Sequence, residues 1–581
     1  MIVVQGHKGR CNLTNVCYRT FFAASSAIRS DVLRHESRYK NHYCNVRSGS
    51  RPATRRRAMS IVRSALLTSA DESAANRAFY EERVADLRRR RSAALAAGSE
   101  ASRQRLRDAG QLLVRERLSA LLDPGSPFLE LCQLAGESLH GDDPPGAAMV
   151  TGVGMVAGRP CMIIANDATV HAGAYTTTTC KKHVRAQRFA WLHRLPCLTL
   201  LQSGGHAADE QSSDFADDGQ FGSILYNQMR MSREGIAQIA SVHGPAADRG
   251  AFVAALCDEV VVVRGQGALE FGSLAQEAEA DCGDLEDAGT SDRLAESDAH
   301  AIAILRDIVA HLGDVPALRR SVAAVAEPLH DPVEIYGIIS ADPRIPTNNR
   351  EIVLRLIDGS DLHEFKPDYG DTLITGFARI QGHDVGILCN NGVLFSESAM
   401  KATQFIDLCC KRDIPLLFMA DINGFMVGRA AEEAGIAKHG AKMITAMTCA
   451  NVPKYTLIIG GSYGAGYLAM CGRAFKPNAL IMWPNGRASI MGPDQAATTL
   501  AMVKDDQHKR NGTSWTDAQR EAYKSPVRKT FEDFANAYNF ARNTWCDMVI
   551  EPAETRDVMG LLLDLAARVP AVPSHFGVFR M

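Results

Sequence analysis

The order of apolar and polar residues predicts a helical N-terminal stretch and then alternating strands and helices. Residues 75–122 are predicted to be helical: Arg83–Ala97 is rich in charge, Gln111–Leu122 carries apolar residues at helical spacing, and the turn-forming residues Asp123–Pro127 end this stretch. Beyond it, short apolar runs such as Cys161–Ala165, Leu198–Leu201 and Glu259–Val263 alternate with helical segments. Such runs are typical of parallel strands that are covered on both faces. The pattern therefore predicts an α/β fold.

The second half of the chain repeats the first. Landmarks recur in the same order at offsets of 216 to 224 residues. They are Thr151-Gly152 with Thr375-Gly376, Asn166-Asp167 with Asn390-Asn391, Leu195-Pro196 with Ile414-Pro415, Gly205 with Gly424, and Gly244–Ala251 with Gly460–Gly466. The repeat predicts two homologous domains, 75–335 and 336–581, with Glu327–Asn349 as the linker.

Residues 1–64 differ from the rest in charge. They hold thirteen basic and two acidic residues, whereas the remainder holds 51 basic and 64 acidic residues. An arginine-rich, serine-rich segment poor in acidic residues is typical of a transit peptide that is removed on import. A disordered basic tail, or upstream sequence before a true start at Met59, has the same composition.

The composition excludes several classes of protein. The net charge of −2 argues against nucleic-acid binding, and no apolar run reaches the ~18 residues of a membrane span. The 15 cysteines form no C-x-x-C pair and no zinc-site spacing, which indicates reduced thiols and no metal. Since no P-loop motif is present, we expect no ATP-binding site in this chain.

The strongest local motif is Leu457–Met470, an apolar strand that enters a glycine-rich turn and then a helix. Glycines allow close approach of the backbone, and the first N–H groups of a helix point outward, so such a turn can stabilise an oxyanion. Tight packing of helix against strand is the other interpretation. The first half carries the same topology at Gly244–Ala251.

Two oxyanion sites on one cavity suit the transfer of a carboxyl group between an amide-like carrier and a thioester. No nucleophilic side chain is needed, and Ser203 lacks the spacing of a nucleophile elbow. Among the histidines, only His206 and His243 lie near the first-half turns.

From about Arg103 to Met581 the chain resembles the β (carboxyltransferase) subunits of the 3-methylcrotonyl branch of biotin-dependent acyl-CoA carboxylases. The resemblance rests on Asp123–Leu131, Ile163–Val170, Phe365-Lys366, Tyr369–Leu373, Thr375–Ile380, Asn390–Ser398, Gly424–Arg429, Gly460–Gly466 and Phe576–Met581. It implies two tandem crotonase-like (ClpP/crotonase) domains.

The resemblance also implies a reaction, partners and a location. The reaction is the transfer of CO₂ from carboxybiotin to the γ-carbon of 3-methylcrotonyl-CoA, giving 3-methylglutaconyl-CoA in leucine degradation. Biotin is carried by a partner α subunit and itself serves as the base. The active site lies between the N-domain of one protomer and the C-domain of its partner, in an α6β6 complex in the mitochondrial matrix.

The candidate site residues follow from the resemblance and the two turns. We assign oxyanion stabilisation to Arg249, Gly250, Gly464, Ala465 and Gly466, with the C-domain turn on the biotin side. The cofactor-binding candidates are Gly424, Phe425, Gly461, Ser462 and Tyr463. The substrate-binding candidates are Gly173, Ala174, Gly204, Gly205, Tyr369, Gly370, Asn390 and Asn391.

The N-domain loops depart from the family pattern. Where the family has Thr-Ala-Gly-Gly-Ala-Tyr, this chain has Ala247–Phe252, so that Arg249 replaces the first glycine. Ser203–Ala207, Ala172–Tyr175 and the segment from Gly272 through the acidic Glu277–Asp287 depart as well. A catalytically impaired paralogue that keeps an assembly or regulatory role, and a carboxyltransferase with a changed acyl substrate, are the alternatives.

One motif is a decoy. Ala399-Met400-Lys401-Ala402 resembles a biotinylation site, yet it lies in a helical stretch inside the repeat rather than on a hairpin. We expect no biotin on Lys401.

Overall fold

Two sheets with the same strand order organise the part of the chain that the structure describes. This computed structural model describes residue 64 and residues 69–139, 143–205, 217–270, 291–342 and 345–580. All of them belong to the second of two units into which the chain divides, Met1–Ser60 and Ile61–Met581. Apart from Ser64, the predicted transit peptide lies outside the described residues.

The described residues of the N-terminal half form three helices first and then a sheet with helices on its faces. Its helices are α1 (Ala70–Ala96), α2 (Glu100–Asp108), α3 (Val114–Leu121), α4 (Thr177–His193), α5 (Phe221–Arg233), α6 (Arg249–Ala255) and α7 (Asp298–Ala310). Its strands are β1 (Phe128–Leu131), β2 (Met149–Val156), β3 (Arg159–Asn166), β4 (Cys197–Ser203), β5 (Gln238–Ala247), β6 (Glu259–Val263), β7 (Ala268–Glu270) and β8 (Arg293–Ala295).

The C-terminal half follows the same plan with a longer helical end. Its helices are α8 (Ile335–Ile338), α9 (Asn349–Leu354), α10 (Ser396–Lys411), α11 (Arg429–Glu433), α12 (Ile436–Cys449), α13 (Gly464–Ala469), α14 (Pro493–Arg510), α15 (Asp517–Ala535), α16 (Ala537–Arg542) and α17 (Thr555–Ala567). Its strands are β9 (His363–Glu364), β10 (Leu373–Ile380), β11 (His383–Asn390), β12 (Leu416–Ile422), β13 (Lys454–Tyr463), β14 (Ala479–Met482), β15 (Arg487–Ser489) and β16 (Met548–Val549).

The strand pairing confirms the α/β prediction and the internal repeat. The first sheet has the order β1-β2-β3-β4-β5-β6-β8, with β7 beside β5, and the second has β9-β10-β11-β12-β13-β14-β16, with β15 beside β13. In each sheet the first three strands are antiparallel and the rest parallel. The parallel strands are buried on both faces, which explains their continuous apolar sequence.

The two sheets share one hydrophobic core. A single cluster of buried side chains joins residues of the first sheet, such as Met162 and Val242, to residues of the second, such as Tyr455 and Ile481. Each sheet has a further core on its other face, under α3 and α7 in the N-terminal half and under α10 and α12 in the C-terminal half. No described helix is both long and apolar enough to cross a membrane.

Buried charges also join the two halves. The carboxylate of Asp547, which has no exposed surface, is shared by Arg185 of α4 and Arg473 of the C-terminal half. The Nη2 atom of Arg185 lies 2.8 Å from Oδ2, and Arg473 makes two bonds of 2.9 Å. Although burial opposes ionisation, these two guanidinium groups hold the pKa of Asp547 below its usual range.

Candidate active site

Each sheet carries a strand that ends in a tight turn and a short helix, as the sequence predicts. In the N-terminal half β5 ends at Ala247 and α6 starts at Arg249; in the C-terminal half β13 ends at Tyr463 and α13 starts at Gly464. The pairing of Ala247 with β7 matches that of Tyr463 with β15, at an offset of 216 residues. We call these segments the N-turn (Ala247–Gly250) and the C-turn (Tyr463–Gly466).

A bulge precedes each turn. Between Leu201 and Ser203 of β4 the partner strand β5 advances from Val242 to Ala246, which gives β5 two extra residues. The strands β12 and β13 show the same shift between Ala420 and Ile422. Past the bulge β5 pairs with β7 instead of β6, and β13 pairs with β15 instead of β14. The bulge therefore redirects the strand end that carries the turn.

The offset corrects which residue of the N-turn is conformationally special. Asp248 is equivalent to Gly464, and both adopt positive φ, 48° and 52° respectively. Arg249 is equivalent to Ala465, at the start of a helix. Comparison with the family sequence draws attention to Arg249, which replaces the first glycine. The residue with positive φ is instead Asp248, one position earlier. The guanidinium of Arg249 lies 5.0 Å from the centre of the Phe221 ring on α5.

The N-domain candidates come together around the N-turn. A Cβ atom on Gly250 would lie 3.2 Å from Cβ of Ser203, so the helix packs closely on the end of β4. Gly173 has φ 72° and a Cβ there would lie 2.2 Å from the carbonyl oxygen of Gln202. The N–H of Gly204 donates to Ala172, and the carbonyl of Gly205 accepts from Tyr175 next to Ala174.

The C-domain candidates come together around the C-turn in the same way. A Cβ atom on Gly466 would lie 3.1 Å from Cα of Gly424, which itself has φ 135° and open space on its Cβ side. Phe425 packs against Gly440 of α12. Gly461 lies beside the ring of Tyr463, whose pKa burial raises, and Ser462 is buried with an Oγ that has no hydrogen-bond partner among the described residues.

A partly buried polar group lies beside the C-turn. The carboxylate of Asp421, at the end of β12, accepts from the N–H of Gly461 at 3.0 Å and from the side chain of Asn349 at 3.1 Å. Burial raises the pKa of Asp421. The same Asn349 amide donates to the carbonyl of Asn390 at 2.8 Å, and Asn390 is fully buried. The sequence did not reveal Asp421 or Asn349, because their contacts depend on tertiary packing.

The remaining substrate candidates lie at the start of α10 rather than on the C-turn. Gly370 packs on Ser398, Tyr369 is partly exposed, and the N–H of Asn391 donates to Thr372. Here Lys401 is fully buried and donates to the carbonyl oxygen of Leu373 at 2.7 Å. A buried amine is inaccessible to a biotinylating enzyme, which supports the expectation that Lys401 carries no biotin.

Several sequence candidates lie outside the described residues. They are His206, Ala207, Gly272-Ser273 and the acidic Glu277–Asp287. Among the described residues no group of three or more His, Cys, Asp or Glu side chains could hold a metal ion. His243 is described and is fully buried.

Comparison with known proteins identifies the family. The carboxyl transferase domain family matches residues 105–576, and the chain belongs to this family. It is 48% identical, over 86% of its length and 96% of the relative, to the biotin-dependent 3-methylcrotonyl-coenzyme A carboxylase beta1 subunit of Mycobacterium tuberculosis. It is 45% identical, over 86% and 91%, to the probable methylcrotonoyl-CoA carboxylase beta chain, mitochondrial, of Drosophila melanogaster.

A solved structure has the same fold. The geranyl-CoA carboxylase beta subunit of P. aeruginosa superimposes with a TM-score of 0.80 at 36% identity, covering 89% of this chain and 99% of that one. The fold is thus that of a carboxyltransferase β subunit with two crotonase-like domains. These similarities support an enzyme of the carboxyltransferase type and give no support to a catalytically impaired paralogue.

Proposed function

We propose that this chain is the carboxyltransferase subunit of a biotin-dependent acyl-CoA carboxylase that acts on 3-methylcrotonyl-CoA. It transfers a carboxyl group to the γ-carbon of that thioester. The observation that carries the proposal is the pair of equivalent turns, one in each of two repeated domains, assigned to 75–335 and 336–581. The identity of 48% to a 3-methylcrotonyl-coenzyme A carboxylase subunit supports the substrate.

The residues around the C-turn fit the ureido ring of biotin. Gly424 leaves open space beside its backbone. The positive φ of Gly464, 52°, turns the chain into the helix whose first N–H groups include those of Ala465 and Gly466. We assign these two N–H groups to the ureido oxygen, with Phe425, Gly461, Ser462 and Tyr463 around the ring. Biotin carried there on a partner α subunit supplies the carboxyl group and a basic nitrogen.

The N-turn serves the thioester in this proposal. The N–H groups of Arg249 and Gly250 start α6 and would donate to the thioester oxygen as it gains charge. Gly173, Ala174, Gly204 and Gly205 present backbone rather than side chains at the same strand ends. On the other half, Tyr369, Gly370 and Asn391 complete the acyl-CoA surface, whereas the candidate Asn390 is fully buried behind it.

The proposed assembly is a β-subunit hexamer within an α6β6 complex, with each active site formed between two protomers. Apolar side chains around the C-turn support a protein partner there: Val427, Leu468 and Ile490 are exposed to 62%, 39% and 44%. Exposed apolar groups concentrated in one region mark interaction surfaces. Tyr226 and Met229 of α5 are exposed in the N-terminal half.

The mitochondrial matrix is the proposed location, with residues 1–64 removed on import. The relative from Drosophila melanogaster is named mitochondrial, and the N-terminal charge pattern fits a transit peptide. Mass spectrometry of the native protein tests this, because an intact Met1 would exclude cleavage.

The function is tested by expressing the full chain together with a biotin-bearing α subunit. Bicarbonate fixation is measured with 3-methylcrotonyl-CoA, with geranyl-CoA as the longer branched thioester suggested by the structural relative, and with propionyl-CoA as a saturated control. We expect the highest kcat/KM with 3-methylcrotonyl-CoA. A higher value with geranyl-CoA would overturn the substrate, and assembly without turnover on any thioester would overturn the function.

A further inference from the structure

The N-terminal half contains a buried polar cluster that the proposed reaction does not use. His243 on β5 has no exposed surface, and it links Ser241 of the same strand to Asp298 of α7. Its Nε2 atom lies 2.8 Å from Oγ of Ser241, and its Nδ1 atom lies 2.5 Å from Oδ1 of Asp298. The other carboxylate oxygen of Asp298 accepts from Nε of Arg117 at 3.0 Å.

The connectivity of this cluster is that of a catalytic triad, but its burial excludes that role. Ser241 is fully buried in the strand, so no substrate can reach its hydroxyl. Burial lowers the pKa of His243, which favours the neutral imidazole. Burial opposes ionisation of Asp298, yet the bonds from His243 and Arg117 keep its pKa low. Nδ1–H thus donates to the carboxylate, and Nε2 accepts from the serine.

A second arm of the cluster runs to the bulge before the N-turn. Arg117 donates to Oε1 of Gln202 at 2.8 Å, and Nε2 of Gln202 donates to Gln111 at 2.8 Å. Gln111 in turn donates to the carbonyl oxygen of His243 at 3.2 Å. His243 is the first residue of the bulge. The side chain of Gln202 also lies over Gly244, where a Cβ atom would be only 2.7 Å away.

The C-terminal half supports its bulge at the same two points with different residues. The carbonyl of Ile459, equivalent to that of His243, accepts from the side chain of Asn485 at 2.8 Å. Asp421, equivalent to Gln202, lies over Gly460, where a Cβ atom would be 2.2 Å away. Both halves therefore fix the first bulge carbonyl with a side-chain amide and cover the next glycine with a polar side chain. The two halves thus support the bulge in the same way, although the residues that do so differ.

We propose that His243 is a positioning residue that fixes the N-turn, holding the β5 bulge through Asp298, Arg117, Gln202 and Gln111. The imidazole itself does not contact the substrate, because it is fully buried. Its two side-chain bonds and its carbonyl anchor the strand four residues before Ala247, where a small backbone shift moves both N–H groups of the turn. The effect on catalysis rests on the proposed function, whereas the effect on the turn does not.

The test compares three variants of the full chain in complex with the biotin-bearing subunit. H243L removes both side-chain bonds, and H243N keeps an amide N–H near the position of Nδ1. The matched control is H193L: His193 is also buried and neutral, but it lies at the end of α4 and bonds only to Phe189 among the described residues.

We expect H243L to lower kcat by about tenfold or more with KM for the thioester within about twofold, because donors to a developing oxyanion act in the transition state. H243N should recover most of that loss. H193L should lower Tm but leave kcat unchanged. A wild-type kcat in H243L, or an equal loss of kcat in H193L, would overturn the proposal.

Hydrogen exchange separates this proposal from the proposed function. In H243L the amides of Ala247–Gly250 should exchange faster than in wild type, while those of Tyr463–Gly466 stay unchanged. If wild type carboxylates no thioester, the function fails, and the exchange result alone decides whether His243 positions the turn. Should H243L not fold, Gln111→Met replaces it, since it removes the donor to the His243 carbonyl without leaving a charge unpaired. Unchanged exchange at the N-turn overturns the inference.

Discussion

The two turns occupy equivalent places in the repeat and share a positive φ at the equivalent residue, yet their sequences differ. The C-turn has Gly464 at the position of positive φ, and the carboxylate of Asp421 accepts a hydrogen bond from the strand that leads into it. The N-turn has Asp248 at that position, and the strand that leads into it is held by a cluster in which Asp298 bonds to His243 and Arg117. Only the second glycine, Gly250 or Gly466, is the same, because there the helix touches the neighbouring strand. The bulge and this one contact specify the turn, and the other side chains vary.

The largest expected effect is on the shared glycine. Valine at Gly466 would bring its Cβ to 3.1 Å from both Gly424 and Ile422, and valine at Gly250 would bring it to 3.2 Å from Ser203. Each variant should lose about 10²–10³ in carboxylation rate as its turn is displaced. Gly222→Val on α5, where nothing lies within 4 Å, is the control. An assembled Gly466→Val complex with wild-type turnover would remove the C-turn from the mechanism.

The next test uses a pair of buried lysines that occupy equivalent places in the two halves. Lys182 donates to the carbonyls of Gly146 and Met149, and Lys401 to those of Gly370 and Leu373. Replacing either with Met leaves two buried acceptors unpaired and should cost about 1–3 kcal/mol in the free energy of unfolding. Unequal losses in urea titrations of the two variants would show that the halves are not supported alike.

The same lysines predict a pH dependence. Burial lowers the pKa of Lys182 and of Lys401 to about 8, against about 10.4 in an unfolded chain. Between these values the unfolded state binds more protons, so wild-type stability should rise as the pH increases from 8 to 10. In each Met variant the increase in the free energy of unfolding between pH 8 and 10 should be smaller than in wild type, because one of the two titrating lysines is absent. Parallel wild-type and variant curves would contradict the burial of a charged amine.

A smaller effect is expected from exchanging the residues at positive φ. Asp248→Gly should raise the free energy of unfolding by about 1 kcal/mol, because glycine adopts φ 48° without strain. Gly464→Asp should lower it by more, since a Cβ there would lie 2.8 Å from the carbonyl oxygen of Ile490. Thermal unfolding measures both. A loss of stability in Asp248→Gly would mean that the aspartate makes a contact that outweighs the strain.

The smallest effect is expected at Arg249. Its guanidinium lies over Phe221, and Arg249→Ala should cost about 0.5–1 kcal/mol of stability and change kcat by less than about threefold. Steady-state kinetics decides this. A tenfold gain in rate would show that the side chain obstructs the site, and a tenfold loss would show that it contacts the substrate.

The sequence predicts the repeat and the turns because they depend on local spacing. Motif comparison directs attention to Arg249, and the equivalence of Asp248 with Gly464 becomes evident only from the matching strand pairings of β5 and β13. The supports of the turns were not predictable. Asp298 meets His243 only because α7 packs on β5, and Asn349 meets Asp421 only because α9 packs on β11, the neighbour of β12. Lys401 matches a modification motif, which its helical sequence context already argues against, and its burial adds a second argument that the sequence could not supply.

The position of Asp547 has a consequence for synthesis of the chain on the ribosome. Arg185 is made early, but the carboxylate that neutralises it is encoded near the C-terminus. Likewise Arg88 and Arg91 of α1 pair with Glu551 and Glu554. During synthesis these arginines therefore lack their carboxylate partners until almost all 581 residues have been translated. Completing these ion pairs thus requires both halves of the chain.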